Sequence, residues 1–521
     1  MSQFPVRRRS LIQTLSAGLV LPSLAPAILA NVQDRPQMTD GVQSGDLLGD
    51  RAMVWSRSDR PAKLVVEWDT TSTFAQPRRA ASAQAHAGTD YTARVELRGL
   101  PADQSIFYRA WFEDARTGTA GEPWFGHLRS VPGQPRDIRF VWSGDTVGQG
   151  FGINPDIGGM RIYDAMRRRL PDFFLHSGDT IYADGPVPAQ QVVENGRVWR
   201  NLTTEAKSHV AVTVDDFRGN YRYNLMDENV RRFNAEVPQI WQWDDHETTN
   251  NWSSGKQLDS RYGSAAIRDL LGPARQAWLE YSPMRPQPGD KGGRIYRSLP
   301  YGPLLELFVL DMRSYRGSND ANLSAVTGPQ TAFLGRTQLD WLKQALAHST
   351  AQWKVIAADM PLSLAVADGE MSPGVPRWEA IANGDNGKPL GREMEIAELL
   401  DFLRQRQVRD VVWLTADVHY CAAHHYHPDR AAFQQFEPFW EFVAGPLNAG
   451  SFPSCALDMT FGPQVVFEKA PTEPNISPLA GLQFFGEVNI NARDKSLTVT
   501  LRDLDGVAVF VQQLKPFGHE V

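Results

Sequence analysis

The run Phe173-Phe174-Leu175-His176-Ser177-Gly178-Asp179-Thr180-Ile181-Tyr182 constrains this chain more than any other stretch. It reads as a short apolar strand that ends in Gly-Asp, with a tyrosine three residues after the aspartate. A buried strand ending this way sets a carboxylate at the carboxyl edge of a sheet, where open α/β sheets carry their ligand sites. A phenol three residues on can curl back over the same point. Carboxylate with phenolate is a hard-oxygen set suited to a ferric or similar cation.

Three further strand ends carry the same kind of residue. They are Val141-Trp142-Ser143-Gly144-Asp145, then Trp243-Asp244-Asp245-His246-Glu247 followed by Asn250 and Asn251, and Leu414-Thr415-Ala416-Asp417-Val418-His419. Asp145 and Asp179 stand 34 residues apart, the length of one strand–helix–strand unit. A single Gly-Asp after a strand is common, but four such ends on one sheet edge converge. Clustered carboxylates ionise together only around positive charge. Two cations, with Asp179 as the shared ligand, satisfy that condition and suit displacement at phosphorus.

The surrounding chain supplies the layers. From Gln37 to about Ser130 short alternating runs recur, among them Ala52–Arg57, Lys63–Trp68, Ala93–Leu97 and Ile106–Phe112, with turn residues between them. This pattern predicts an N-terminal β-sandwich over 37–130 resembling fibronectin type III. Val131 to Asp137 has linker composition. The remainder, 138–521, alternates strands (Ile138–Trp142, Asp172–Ser177, Pro303–Leu310, Trp353–Ala358, Asp410–Thr415) with helices (Gly159–Arg169, Thr337–Ala347, Glu393–Gln405), the mark of a layered α/β domain. Gly486–Ile490 and Ser496–Leu501 return to hairpin character and are expected to join its sheets. Residues 183–240 are polar and irregular, and an insertion directly after a site-bearing strand is expected to form a lid or substrate wall.

Residues 1–30 read as a targeting signal: Arg7-Arg8-Arg9-Ser10-Leu11-Ile12 holds a twin arginine, an apolar stretch runs from Leu15 to Leu29, and small-residue cleavage sites follow. A periplasmic or extracellular location, reached through the twin-arginine export machinery, is the expectation. No later run is long and apolar enough for stable membrane insertion. The formal net charge of −7 argues against nucleic acid as a partner. Cys421 and Cys455 are the only cysteines, and a single bridge between them stays open.

On these motifs the chain resembles the PhoD-like alkaline phosphatases, a branch of the calcineurin-like metallophosphoesterases. The resemblance covers the signal, the sandwich and the catalytic domain, and implies a four-layer αββα catalytic fold. The superfamily's Asp-x-His, Gly-Asp, Gly-Asn-His-Asp/Glu and Gly-His-x-His motifs match Asp145, Gly178-Asp179, Asp245-His246-Glu247 and Asp417-Val418-His419. Asp179 with Tyr182 also resembles the purple acid phosphatases, in which the tyrosine binds ferric iron. By resemblance Asp145, Asp179, Tyr182 and His419 hold iron, while Asp179, Asp245 and Asp417 face a second metal, calcium or another divalent ion. Some relatives use a cysteine near the first motif; Gly144-Asp145 stands there instead.

The implied activity is hydrolysis of small-molecule phosphate monoesters by attack of a metal-bound hydroxide. Alternatives are phosphodiesterase or phospholipase D-like action at the same metals, and a non-catalytic binding protein. His246 is expected to contact the phosphate or protonate the leaving oxygen. Arg313, at another strand end, is weighed equally as a phosphate contact and as a salt bridge to Asp311 or another acid. Asp244 is expected to orient a neighbour and Asp359 to cap a loop. His424, His425 and His427 are read as a surface or rim loop, and Phe436–Phe442 as core packing rather than a leaving-group pocket.

Overall fold

The computed structural model describes residues 35–286 and 293–518, so the expected targeting signal lies outside the described residues. Two large sheets dominate. The first has nine strands, in the order Ala508–Leu514, Leu497–Asp503, Phe484–Ile490, Ile138–Ser143, Phe173–Ser177, Gln239–Gln242, Val42–Leu48, Arg51–Arg57 and Thr92–Leu97. The second has seven, in the order Arg297–Tyr301, Leu305–Val309, Trp353–Ala357, Val411–Thr415, Phe439–Val443, Cys421–Tyr426 and Pro463–Lys469. The central strands of each sheet run parallel. No helix among the described residues is long and apolar enough to cross a membrane.

Side-chain alternation in the second sheet explains the layering. Leu307, Val309, Val355, Ala357, Val412 and Leu414 share one core with Phe140, Leu175 and Ile240 of the first sheet. Their neighbours in sequence, Phe308, Leu310, Ile356 and Trp413, belong to a second core. That core holds the apolar faces of α5 (Arg336–His348) and α6 (Glu393–Gln405). On the first sheet's outer side α1 (Arg161–Arg167) and α3 (Glu228–Glu236) pack likewise, with Phe174 and Phe233 ring centroids 5.3 Å apart. Phe173–Ser177 is covered on both faces and buried throughout, with three apolar residues leading to His176 and Ser177 at its site-bearing end.

The mixed α/β expectation holds, but the N-terminal unit is less separate than its sequence suggests. Ala62–Asp69, Ser105–Asp114 and Trp124–Arg129, with two short strands, form their own five-stranded sheet. Val42–Leu48, Arg51–Arg57 and Thr92–Leu97 instead extend the nine-stranded sheet, joined through the pair Gly45–Gln239. A Cβ at Gly45 would lie 2.4 Å from the Gln239 carbonyl oxygen, so only glycine allows this approach. The linker-like segment is also fastened: Val131 and Pro132 are buried, and Arg136 forks onto Asp172 at 2.8 and 2.9 Å.

Residues 183–240 are more ordered than their polarity implies. They hold a small hairpin (Gln190–Val192 with Val198–Arg200), α2 (Val214–Asn224) and α3. Thr213 and Asp216 close a capping box at the start of α2, a Thr-x-x-Asp signal legible in the sequence. The next helix, α4 (Ile267–Tyr281), packs against α2, where Arg218 holds Glu280 at 2.7 and 2.8 Å.

The C-terminal hairpin is clamped to the catalytic sheet by Glu487, which accepts from Arg169 at 2.5 Å and Arg502 at 2.9 Å. Burial opposes the charged form, yet the two arginines hold this carboxyl at about 2. A depressed folded-state pKa stabilises the protein above the ordinary carboxylate range, and that stability is lost as pH falls toward 2. Glu487→Gln is therefore expected to lose about 1–3 kcal/mol at neutral pH and to show a flatter acid limb when unfolding is followed from pH 7 to 3.

Candidate metal centre

The four predicted strand ends meet, although not on one sheet edge as expected: three belong to the nine-stranded sheet and the fourth to the seven-stranded sheet that faces it. Asp145 follows Ile138–Ser143, Asp179 follows Phe173–Ser177, Asp245 follows Gln239–Gln242, and Asp417 with His419 follows Val411–Thr415. Asp145, Asp179, Asp417 and His419 adopt left-handed backbone angles, with φ of 69, 51, 66 and 60°. Such angles cost about 1–3 kcal/mol each in non-glycine residues, and they turn the side chains inward at one point. Gly178, with φ of 93°, is required for a different contact: a Cβ there would lie 2.3 Å from the Asp244 Cβ.

Among the described residues, three sets have their ligand-type atoms within 4.8 Å of one another inside each set: Asp145, Asp179 and His419; Asp179, Asp245 and His246; Asp244, Asp245 and Asp417. Asp179 belongs to the first two sets, which is the geometry of a bridging carboxylate. Tyr182 Oη lies 2.7 Å from His419 Nε2, so the phenol faces the first set. His419 Nδ1 donates to the Gly450 carbonyl at 2.5 Å, so Nε2 carries the lone pair and presents it between the Tyr182 phenol and Asp145.

The arrangement fits metal by its own chemistry. Asp145 Oδ2 and Asp245 Oδ1 are buried and accept no hydrogen bond. A Cβ at Gly445 would fall 2.4 Å from that Asp145 oxygen, so the glycine keeps the space beside it open. Burial, then the charges of Asp245 and Asp244, push Asp179 well above the usual carboxylate range. Burial, then Asp244 and Glu379, does the same to Asp417. Acids held this way are stabilised as anions only when cations join them. The all-oxygen set is Asp244, Asp245 and Asp417, without the Asp179 expected there, and suits a hard cation, while the set with His419, faced by Tyr182, suits a transition metal such as iron.

Glu247 had no predicted role and holds the loops together. Its carboxylate accepts from Thr180 N and Oγ1 at 2.6 Å, from Asp244 N at 2.7 Å and from Asp179 N at 3.2 Å. His246 stacks on Tyr182 with centroids 4.1 Å apart, and its Nδ1 lies 2.6 Å from Asp184 Oδ1. Burial disfavours its charge, but Asp184 and then Asp245 lift His246 to about 9. Asp184, the second partner missed in the sequence, also accepts from Asn250 N at 2.9 Å.

Arg313 takes the salt-bridge alternative, with partners other than Asp311's side chain. Its guanidinium has no exposed surface and meets Asp244 at 2.5 Å, Asp359 at 3.3 Å, Asp417 at 3.5 Å and Glu379. From Arg313 the Asp311 carboxylate accepts the backbone N–H alone, at 3.2 Å, beside Ser314 N at 2.9 Å and Trp243 Nε1 at 3.0 Å. A guanidinium so committed to acids is not turned toward a phosphate in the cleft. Asp359 thereby joins this buried group instead of capping an exposed loop.

Tyr182 and His246, beside the buried acids, line a cleft of about 440 Å³ together with Asn250, Lys256, Arg261 and Tyr262. Its wall is thus built mainly from residues 249–262. The 183–240 insertion, expected there, adds only Asp184 and Gly185. A larger groove of about 610 Å³, lined by Phe436, Phe439 and Trp440, lies at the amino ends of the second sheet's strands, away from the metal-type residues. Phe436 and Phe439 sit in the core behind it, as expected. His424 and His425 are on a strand instead of a rim loop, with His424 buried and its Nδ1 2.9 Å from Glu441, while His427 lies in the turn that follows. Cys421 and Cys455 are both free thiols.

Comparison with known proteins matches this geometry to one family. Residues 140–501 fit the model of the PhoD-like phosphatases, and residues 23–132 fit that of the PhoD-like phosphatase N-terminal domain. Alkaline phosphatase D of Bacillus subtilis (strain 168) is 26% identical over 500 residues, covering 91% of this chain and 79% of that protein. Among solved structures, PhoD has a TM-score of 0.68 at 20% identity, covering 94% of this chain and 90% of its own. The purple acid phosphatase PPD1 of yellow lupin (Lupinus luteus) seeds follows with a TM-score of 0.54 at 14% identity, covering 91% and 74%. Both structural likenesses are likenesses of fold.

Proposed function

This chain belongs to the PhoD-like phosphatase family and is a metal-dependent phosphoesterase, and from that premise we propose an exported enzyme that hydrolyses small phosphate monoesters. The observation that carries the reading is Asp179, shared between two sets of ligand atoms. We assign Asp145, Asp179, Tyr182 and His419 to ferric iron, and Asp179, Asp245 and Asp417 to calcium or another divalent ion. Cations bound there supply Lewis acidity toward a phosphoryl oxygen and toward an attacking water.

The chain's own groups do the rest. His246 carries a proton on a ring fixed by Asp184, and its side chain is 12% exposed toward the cleft. It donates that proton to the phosphoryl or leaving oxygen. Asn250, Lys256 and Arg261 give the cleft a polar, partly cationic wall for the rest of the ester. Arg313 acts through the carboxylates it binds and is a positioning residue.

The twin arginine at Arg7-Arg8 supports export by the twin-arginine route to the periplasm or beyond. The ends of the two family matches, at 132 and 140, support a boundary near 131–137 between an N-terminal domain and the catalytic domain.

Rates on paired aryl phosphate mono- and diesters test the substrate class. Turnover at least ten-fold faster on the monoester is expected, and the reverse ratio would assign the phosphodiesterase alternative. The iron assignment has its own test. Purified protein is expected to show a visible phenolate-to-iron absorption band that disappears in Tyr182→Phe, while a band unchanged in that variant would remove Tyr182 from the iron.

A further inference from the structure

A second charged groove lies along the first sheet, away from the metal-type residues. The outermost strand there, Thr92–Leu97, stands three strands beyond Gln239–Gln242, the strand that leads to Asp244 and Asp245. Between the end of this outer strand and Arg78–Arg79, the edge of the five-stranded sheet, a groove of about 570 Å³ is lined by Trp68, Arg78, Arg79, Glu96 and Arg98 with two alanines. Three guanidiniums share it with one carboxylate, in a chain whose formal net charge is −7. That carboxylate is committed twice over, because Glu96 meets Arg98 at 2.6 Å and Arg285 at 2.7 Å. The groove therefore carries surplus positive charge against the field of the whole molecule.

Two of these arginines are held by rings. Arg78 pairs with Trp68 across the strands, and its guanidinium lies over the indole, 4.9 Å from the ring centroid. It makes one long hydrogen bond, from Nη1 to the Gly99 carbonyl at 3.4 Å, and has no acid partner among the described residues. Arg79 lies over Trp111 at 5.7 Å and donates to Glu113 at 3.0 Å, an acid that also holds Lys63 at 2.9 Å. A ring fixes a guanidinium by its face and leaves the in-plane N–H fork open to an oxyanion. We propose that this groove binds a small soluble molecule carrying several phosphate-type oxyanions, at a site separate from the catalytic cleft. The groove suits such a ligand better than a lipid surface: Trp68 is only 3% exposed, and the other apolar residues lining it are alanines, so nothing projects to enter a bilayer.

Calorimetric titration of the full-length protein with sucrose octasulfate tests the site, since its sulfate esters present the same oxyanions without being phosphate esters. Saturable binding that weakens as salt is raised is expected. Arg78→Gln is expected to lower the affinity by at least about ten-fold, and Arg98→Gln by at least about three-fold, as lost charge-assisted contacts require. Both variants are expected to turn over a small aryl phosphate at the original rate. Arg78→Lys keeps the charge without the planar fork and is expected to stay at least about three-fold weaker than the unaltered protein. Lys256→Gln, in the catalytic cleft, is expected to bind the probe as tightly as the unaltered protein. Absence of saturable binding, arginine variants as tight as the unaltered protein, or an equal loss in Lys256→Gln would overturn the proposal. Binding to phosphatidylglycerol vesicles without binding to the probe would overturn it as well. Should Arg78→Gln give no folded protein, Arg98→Gln decides by the same comparison.

Discussion

Asp179→Asn is expected to lower kcat/KM for phosphate esters by more than about 100-fold, since even the outer partners of metal ligands cost roughly 10–100-fold in affinity or activity. The loss should fall on kcat and on metal content together, because this one carboxylate belongs to both ligand sets. Its effect on stability has the opposite sign without metal. Asp179 is crowded by Asp245, Asp244, Glu247 and Asp145, and burial adds to that cost. The neutral amide relieves it, so in chelator Asp179→Asn is expected to unfold at an equal or higher temperature than the unaltered protein. A residue that merely supported the fold would lower the midpoint in both conditions.

The second large effect is expected at a residue that touches no metal. Glu247 has no exposed surface, and its two oxygens accept four donors from the loops that carry Asp179 and Asp244. Glu247→Ala leaves those donors buried without partners, at about 1–3 kcal/mol for each one that finds no replacement. A destabilisation of roughly 3–5 kcal/mol is expected by denaturant titration. Metal affinity should fall with it, because the backbone turn that aims Asp179 is no longer fixed. Glu247→Gln keeps one acceptor oxygen and is expected to fall between the two. A variant with alanine that unfolds at the original denaturant concentration would show that the clasp contributes nothing.

Sequence and structure agree where the chemistry is local. An aspartate after an apolar run marks a strand end whatever the rest of the chain does, and four such ends are legible one by one, two of them as Gly-Asp. The same locality explains α5 and α6, whose apolar spacing predicts them to within a residue or two. The partners of Arg313 could not be read this way. They come from segments as distant as Asp244 and Asp417, so only the closing of one sheet on the other brings them together. Glu247 and Asp184 were hidden for a related reason, since each stands within a visible motif yet acts on a backbone or a ring from another loop.

The N-terminal unit shows the limit of pattern reading. Alternation identifies its strands but cannot say which sheet they join, and that choice hangs on a missing Cβ at Gly45. The cleft wall illustrates it again. Polarity and irregularity pointed to residues 183–240, whereas capping at Thr213 turned that segment into packed helix and residues 249–262 took the place beside the site.

One measurement tests the central claim most directly: metal equivalents per chain, by elemental analysis, in the unaltered protein and in Asp179→Asn purified in parallel. A shared carboxylate predicts two different cations in the unaltered protein and the depletion of both in the single variant. An Asp179→Asn protein that retains both metals, or an unaltered protein that hydrolyses phosphate esters with neither, would contradict it.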